Sequence, residues 1–149
     1  MKVICKNNEF IFISHSHLHY FDLLYNQYHD TDTTCIDYIK YEILKKSNVE
    51  KTYNYLICLL QNEDINIPNT ELCNILMTAD FLICDIVVKD IIKKIQNIIK
   101  YSNDYIEIQQ ELNIEYEWDA NELREKKDND KWCKPVYGCK SKFLKNIMY

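Results

Sequence analysis

The segment LLQNEDINIPNTELCNILMTADFLICDIV, residues 59–87, carries the clearest structural pattern in the chain. Pro68 prevents the preceding helix from continuing, because proline has no amide hydrogen to donate. Residues 63–71 are typical of a turn or a short strand, and Asn69 or Thr70 is placed to cap the next helix. One face of that predicted helix carries Leu72, Ile75, Leu76, Ala79 and Leu82, so we expect it to pack on a core.

The helical pattern resumes after Cys84 and Asp85. Apolar residues recur there at helical spacing, namely Val88, Ile91, Ile92, Ile95, Ile98 and Ile99. The longest apolar run, residues 83–99, is interrupted by charged side chains that lipid would not accept cheaply. We therefore expect two consecutive amphipathic helices of a soluble protein that has no membrane partner.

The N-terminal part of the chain is predicted to alternate strands and helices. Residues 2–13 contain two β-rich runs around the polar turn at residues 6–9, which predicts a hairpin. The apolar spacing in residues 19–27 predicts a short helix. Residues 35–44 are rich in isoleucine and tyrosine, and they predict a third strand.

Three segments have the spacing of a capping box and predict helix starts: residues 47–50, 104–107 and 119–122. In the first, the Ser47 oxygen and the Glu50 carboxylate would satisfy free amides of the first turn. After the third, apolar side chains are too sparse to hold a long helix on a core. The isolated large side chains in this part either anchor a partner or fold back on the preceding helices, and they are Leu112, Ile114, Trp118, Leu123 and Trp132.

Composition argues against several functional classes. The 149 residues, 47% of them apolar, suit one domain or one domain with an appendage. The net charge of -5, without a lysine-rich run among aromatics, argues against a nucleic-acid partner. The sole glycine, Gly138, leaves no glycine-rich phosphate loop, and no nucleophile motif is present. We expect neither an enzyme nor a cofactor.

The seven cysteines follow no close paired spacing, and the N-terminal sequence MKVICKNNEF does not resemble a signal peptide. This pattern predicts reduced thiols in an intracellular protein. We expect a cytoplasmic or nuclear location, or both, within the host cell if the source is a virus.

Three histidines alternate in ISHSHLHYFD, residues 13–22, and raise the possibility of a metal site. In a strand, His15, His17 and His19 would share one face, whereas in a helix only His15 and His19 would. Catalytic zinc needs three protein ligands and a held water, and the only other histidine is His29. Solvated histidines at a strand-to-helix corner are the better interpretation, and a metal site is the lesser alternative.

The predicted order of elements (strand, strand, helix, strand, helix, strand, helix, helix) resembles the BTB/POZ fold. HLHYFDLL, residues 17–24, resembles the helix entry of that superfamily without its serine, and residues 59–87 resemble its later helices. IEIQQELNIEYEWDANELREKKDNDKWC, residues 106–133, resembles the extension of the Skp-one family, the adaptors that hold F-box proteins on cullin ubiquitin ligases. The family positions in this extension are occupied by Ile108, Leu112, Asn113, Ile114, Trp118, Trp132 and Cys133.

The resemblance implies an α+β fold, in which helices cap a small mixed sheet, with a C-terminal Skp-type helical extension. The BTB/POZ domain would span residues 1–100 and the F-box-binding extension residues 101–134. The tail, residues 135–149, could pack as a short helix, contact a partner or be disordered. The implied function is a non-catalytic adaptor of a cullin-RING (SCF-type) E3 ubiquitin ligase, which bridges an F-box protein to a cullin in protein ubiquitination.

The resemblance also implies site residues. The candidate F-box contacts are Ile95, Ile98, Ile99, Ile108, Leu112, Ile114, Trp118, Leu123 and Trp132. Asp80 and Phe81 occupy the place of a pair that contributes to cullin binding in the family. The family's acidic loop before the third helix is missing, and Gln109 replaces an arginine. The alternative is therefore a BTB-type interaction module, or a decoy that binds F-box proteins without recruiting a cullin.

Overall fold

The chain has an α+β fold in a computed structural model that describes residues 1–103 and 105–113, and for residues 105 and 106 the backbone alone. The strands are β1 (Lys2–Ile4), β2 (Phe10–Phe12) and β3 (Cys35–Asp37). The α-helices are α1 (Asp22–Thr31), α2 (Lys46–Gln61), α3 (Leu72–Phe81), α4 (Asp85–Tyr101) and α5 (Tyr105–Leu112). Shorter 3₁₀ helices span Lys6–Asn8, His15–Tyr20 and Asn69–Glu71.

The three strands form one mixed sheet in the order β2-β1-β3. β1 pairs antiparallel with β2 and parallel with β3, and Val3 lies opposite both Ile11 and Ile36. These three side chains are buried, so one face of the sheet covers the core. The predicted hairpin and third strand are confirmed, but β3 is shorter than predicted. It ends at Asp37 because the Asp37 carboxylate accepts the amide of Ile39 and turns the chain.

Two of the predicted helix starts were wrong in position. Residues 15–20 form a 3₁₀ helix, so α1 begins at Asp22 instead of residue 19. The capping box at residues 47–50 is absent, since α2 already begins at Lys46 and no side chain caps it. Glu50 instead forms an ion pair with Lys46, one helical turn earlier, at 3.6 Å.

Residues 59–87 form the expected helices, but a 3₁₀ helix precedes α3. Residues 63–68 form no strand, so the turn alternative is correct. Asn69 and Thr70 lie in a 3₁₀ helix rather than capping α3, and the Asn69 amide donates to the Glu111 carboxylate. The predicted apolar face is confirmed, because all five of its residues are buried: Leu72, Ile75, Leu76, Ala79 and Leu82.

Several turns and helix ends place a residue other than glycine in the left-handed region. Within residues 1–103 and 105–113 these are Asn7, Asn8, Asp32, Asn62, Ile83 and Asn113. Asparagine and aspartate tolerate this conformation better than most residues. Ile83, with φ 54°, is the exception, because a β-branched side chain is strained there.

Ile83 ends α3 in a Schellman motif. The amide of Cys84 donates to the carbonyl of Ala79 at 2.8 Å, and the amide of Ile83 donates to that of Asp80 at 3.1 Å. Glycine is the usual residue at this left-handed position. The carbonyl of Ile83 also accepts the amide of Asp22 at 3.1 Å, so the same turn binds the first turn of α1.

The described chain divides into two compact units. The first contains residues 1–66 and 74–90, and the buried Tyr55 donates a hydrogen bond to the Asp90 carboxylate there at 2.6 Å. The second contains residues 67–73 and the chain from Ile91 onward. Among the described residues, no helix is long and apolar enough to cross a membrane.

We predict that Ile83→Gly raises the free energy of unfolding by roughly 0.5–1 kcal/mol, because relief of the left-handed strain outweighs the added entropy of the unfolded chain. Ile86→Gly, a similarly exposed isoleucine within α4, should lower it by roughly 0.5–1 kcal/mol. Urea denaturation measures the free energy of unfolding of both variants. A loss of stability in both would contradict the assigned strain.

Candidate functional site

Five of the nine candidate F-box contacts lie among the described residues, on α4 and α5. Four of them are buried within the chain: Ile95, Ile99, Ile108 and Leu112. Ile98 is only partly buried. The other candidates, Ile114, Trp118, Leu123 and Trp132, lie outside the described residues. Among the described five, Ile98 is therefore the side chain that a partner can reach.

Ile98 lines an open cleft of about 500 Å³, which we call the α4–α5 cleft. Its other lining residues are Tyr101, Ser102, Glu107, Gln110 and Glu111. Tyr101 is 77% exposed, with the Lys100 ammonium 5.5 Å from its ring centre. An aliphatic and an aromatic side chain inside a polar rim are typical of a protein contact, rather than of a small-molecule pocket.

The connection between α4 and α5 is fixed by Glu107. Its carboxylate accepts the backbone amide of Asn103 at 2.6 Å and the side-chain amide at 3.0 Å. In the box predicted at residues 104–107 this carboxylate would accept the amide of Asp104, which lies outside the described residues. The partner seen is Asn103, one residue earlier. The Ser102 hydroxyl donates back to the carbonyl of Ile98 at 2.5 Å. These bonds determine the shape of the α4–α5 cleft.

The two candidate cullin-binding residues differ in exposure. Asp80 is exposed at the end of α3, whereas Phe81 is partly buried. The Phe81 ring packs against Tyr41, with 5.0 Å between ring centres, and against Tyr38 at 5.9 Å. Burial, with a smaller contribution from Tyr41, raises the pKa of Tyr38 to about 12. Of the two candidate cullin-binding residues, Asp80 is therefore the more accessible to a partner.

A second cleft, of about 340 Å³, includes residues that follow Asp80 and Phe81 closely in the sequence. It is lined by His19, Tyr20, Asp22, Ile83, Asp85, Ile86 and Lys89. Ile83 and Ile86 are 44% and 39% exposed. Neither residue belongs to the apolar helix faces that the sequence spacing predicts.

The three alternating histidines do not converge on one point. His15 lies edge-on against the ring of Tyr28, and His19 is tilted over the ring of its neighbour. The Nδ1 atom of His17 lies 2.6 Å from the Tyr53 hydroxyl, a hydrogen bond that joins the 3₁₀ helix to α2. Within residues 1–103 and 105–113, no group of three His, Cys, Asp or Glu side chains could hold a metal ion.

Two buried cysteines are poor nucleophiles. Burial raises the pKa of the Cys5 thiol to about 11, with a smaller contribution from Glu9, and burial raises that of Cys84 to about 11. Thiolate is the reactive form, so both side chains act as small core residues.

Comparison of the chain with known protein families and with curated proteins finds no match.

We predict that zinc neither binds the histidine segment nor changes the melting temperature, since a ligand of the native state would raise it. Titration of the full chain with zinc, followed by calorimetry and thermal unfolding, measures both. The variant in which His15, His17 and His19 are all replaced by Gln is the control. Saturable binding that the control loses would contradict the prediction.

Proposed function

We propose that the chain is a Skp-like adaptor that bridges an F-box protein to a cullin in a ubiquitin ligase. The order hairpin, helix, parallel strand and successive helices supports a BTB/POZ-type fold, and α5 supports a helical extension beyond it. The observation that carries the proposal is the α4–α5 cleft. Ile98, a candidate F-box contact, lies there beside the exposed Tyr101.

The buried candidates have a different role from Ile98. Ile95 and Ile99 lie one helical turn apart on α4, as do Ile108 and Leu112 on α5, and all four are buried. Because a partner cannot touch a covered side chain, we infer that they form the core that positions the cleft. Replacing one would act on stability before it acted on binding.

The charge of the cleft indicates the chemistry of its partner. Glu107 and Glu111 contribute carboxylates, while Ile98 and Tyr101 contribute apolar surface. An F-box helix with an apolar anchor and flanking lysine or arginine would complement this surface. The exposed rim charges would mainly affect the association rate and its salt dependence.

We predict that Ile98→Asp weakens binding of a purified F-box domain by at least about tenfold, because it places a charge at an apolar contact. Asn97→Asp adds the same charge at an exposed neighbouring position and should leave affinity within about twofold. Tyr101→Ala should weaken binding without loss of fold, since that side chain is 77% exposed. Isothermal titration with the full chain measures the affinities, and circular dichroism checks the fold.

Two outcomes of this experiment would contradict the adaptor proposal. One is failure of the intact chain to bind any of several F-box domains. The other is binding that neither Ile98→Asp nor Tyr101→Ala affects, which would place the contact elsewhere.

We predict that Asp80→Arg abolishes co-precipitation of a cullin, because a reversed charge at an interface creates repulsion where there was attraction. Asp64→Arg makes the same change at another exposed aspartate and should have no effect. Phe81→Leu retains an apolar side chain against Tyr41 and tests the ring alone. F-box binding without any cullin binding by the unmodified chain would assign the decoy function instead.

A further inference from the structure

The outer face of the sheet, opposite the core, carries an unusual set of side chains. Strand pairing places these six residues in two rows across β2, β1 and β3: Phe12, Lys2 and Cys35 in one row, and Phe10, Ile4 and Asp37 in the other. Phe10 is 45% exposed and Phe12 is 66% exposed. Cys35 and Asp37 are exposed, while Lys2 and Ile4 are partly buried.

The side chains on the solvent-facing side of a sheet are normally polar, so two exposed phenylalanines require an explanation. Their rings meet edge to face with centres 5.5 Å apart, and the Lys2 ammonium lies 4.4 Å from the centre of the Phe10 ring. The rings therefore form one ordered patch on the edge strand β2. Adjoining exposed aromatic rings of this kind are a candidate interaction surface.

We propose that this outer sheet face binds a second copy of the chain, in an isologous dimer with the two faces packed together. The charges on the face are self-complementary, because a cation, Lys2, and an anion, Asp37, lie in different rows on neighbouring strands. A two-fold axis that runs across the strands, between the two sheets, exchanges the rows. This operation sets Phe12 of one copy over Phe10 of the other.

The same axis also pairs the charges. It brings Asp37 of the second copy over Cys35, which lies directly beside Lys2 in the strand register. In the dimer the Lys2 side chain turns from the Phe10 ring toward that carboxylate. The symmetry makes this contact twice, and both contacts lie on the β3 side of the four phenylalanine rings. Pairing of β2 edges is a weaker alternative, because β2 has only three residues and offers few free backbone groups.

The dimer does not depend on the adaptor proposal, since none of its six residues is a candidate F-box or cullin contact. A face of three short strands buries little area, so a concentration-dependent dimer is expected rather than a permanent one. Sedimentation equilibrium of the full chain from micromolar to near-millimolar concentration measures it.

Phe12→Ser should weaken dimerisation about 100-fold, because the symmetry removes two aromatic anchors at once. Tyr25→Ser alters an exposed aromatic on α1 and should leave dimerisation unchanged. Both variants should bind an F-box domain as the unmodified chain does, which separates failure of the dimer from failure of the adaptor.

Charge-reversal variants of Lys2 and Asp37 test whether the partner is a second copy of the chain. Lys2→Glu and Asp37→Lys should each weaken self-association about tenfold, because each variant places like charges together at both symmetric contacts. An equimolar mixture of the two should form heterodimers, in which Glu faces Lys and Asp faces Lys. A loss of folding in either variant could not produce this rescue.

Three results would overturn the proposal. The first is an unmodified chain that is monomeric over the whole concentration range. The second is a dimer that Phe12→Ser leaves intact, and the third is a mixture that associates no better than either charge variant alone.

Discussion

The backbone turn at Ile83 is the constraint on which the first unit depends. It lies between α3 and α4, and the carbonyl oxygens of Ile83 and Leu82 accept the amides of Asp22 and Leu23 in α1. Three helices thus meet at one strained residue, and strain of this kind costs about 1–3 kcal/mol. The turn is retained because the surrounding hydrogen bonds and the buried Leu82 and Cys84 determine its geometry.

The sequence predicts the helices well and their ends poorly. The apolar spacing of α3 and α4 identified their buried face, since helix packing requires that period. The end of α3 was not predictable, because the usual signal is glycine and the residue there is Ile83. The box at Ser47 failed for a related reason. A serine followed by a glutamate at the right spacing occurs inside the first turn of α2, where Glu50 pairs with Lys46.

The candidate site was predictable only in part, because periodicity identifies a face and not its exposure. Ile95, Ile98 and Ile99 follow one pattern, but only Ile98 borders the cleft beside Tyr101. Exposure depends on what the rest of the chain covers, and no local pattern contains that information. The two phenylalanines of β2 illustrate the same limit, since alternation predicts two faces without saying which large side chains meet solvent.

An adaptor must bind two proteins at once, through surfaces that do not compete. Asp80 is carried by the first unit and the α4–α5 cleft by the second. The most direct test mixes the purified chain, an F-box protein and a cullin, and measures mass by size-exclusion chromatography with light scattering. The account predicts one complex of all three, which disappears when the chain is omitted. Separate pairwise complexes, or binding of one partner that excludes the other, would contradict it.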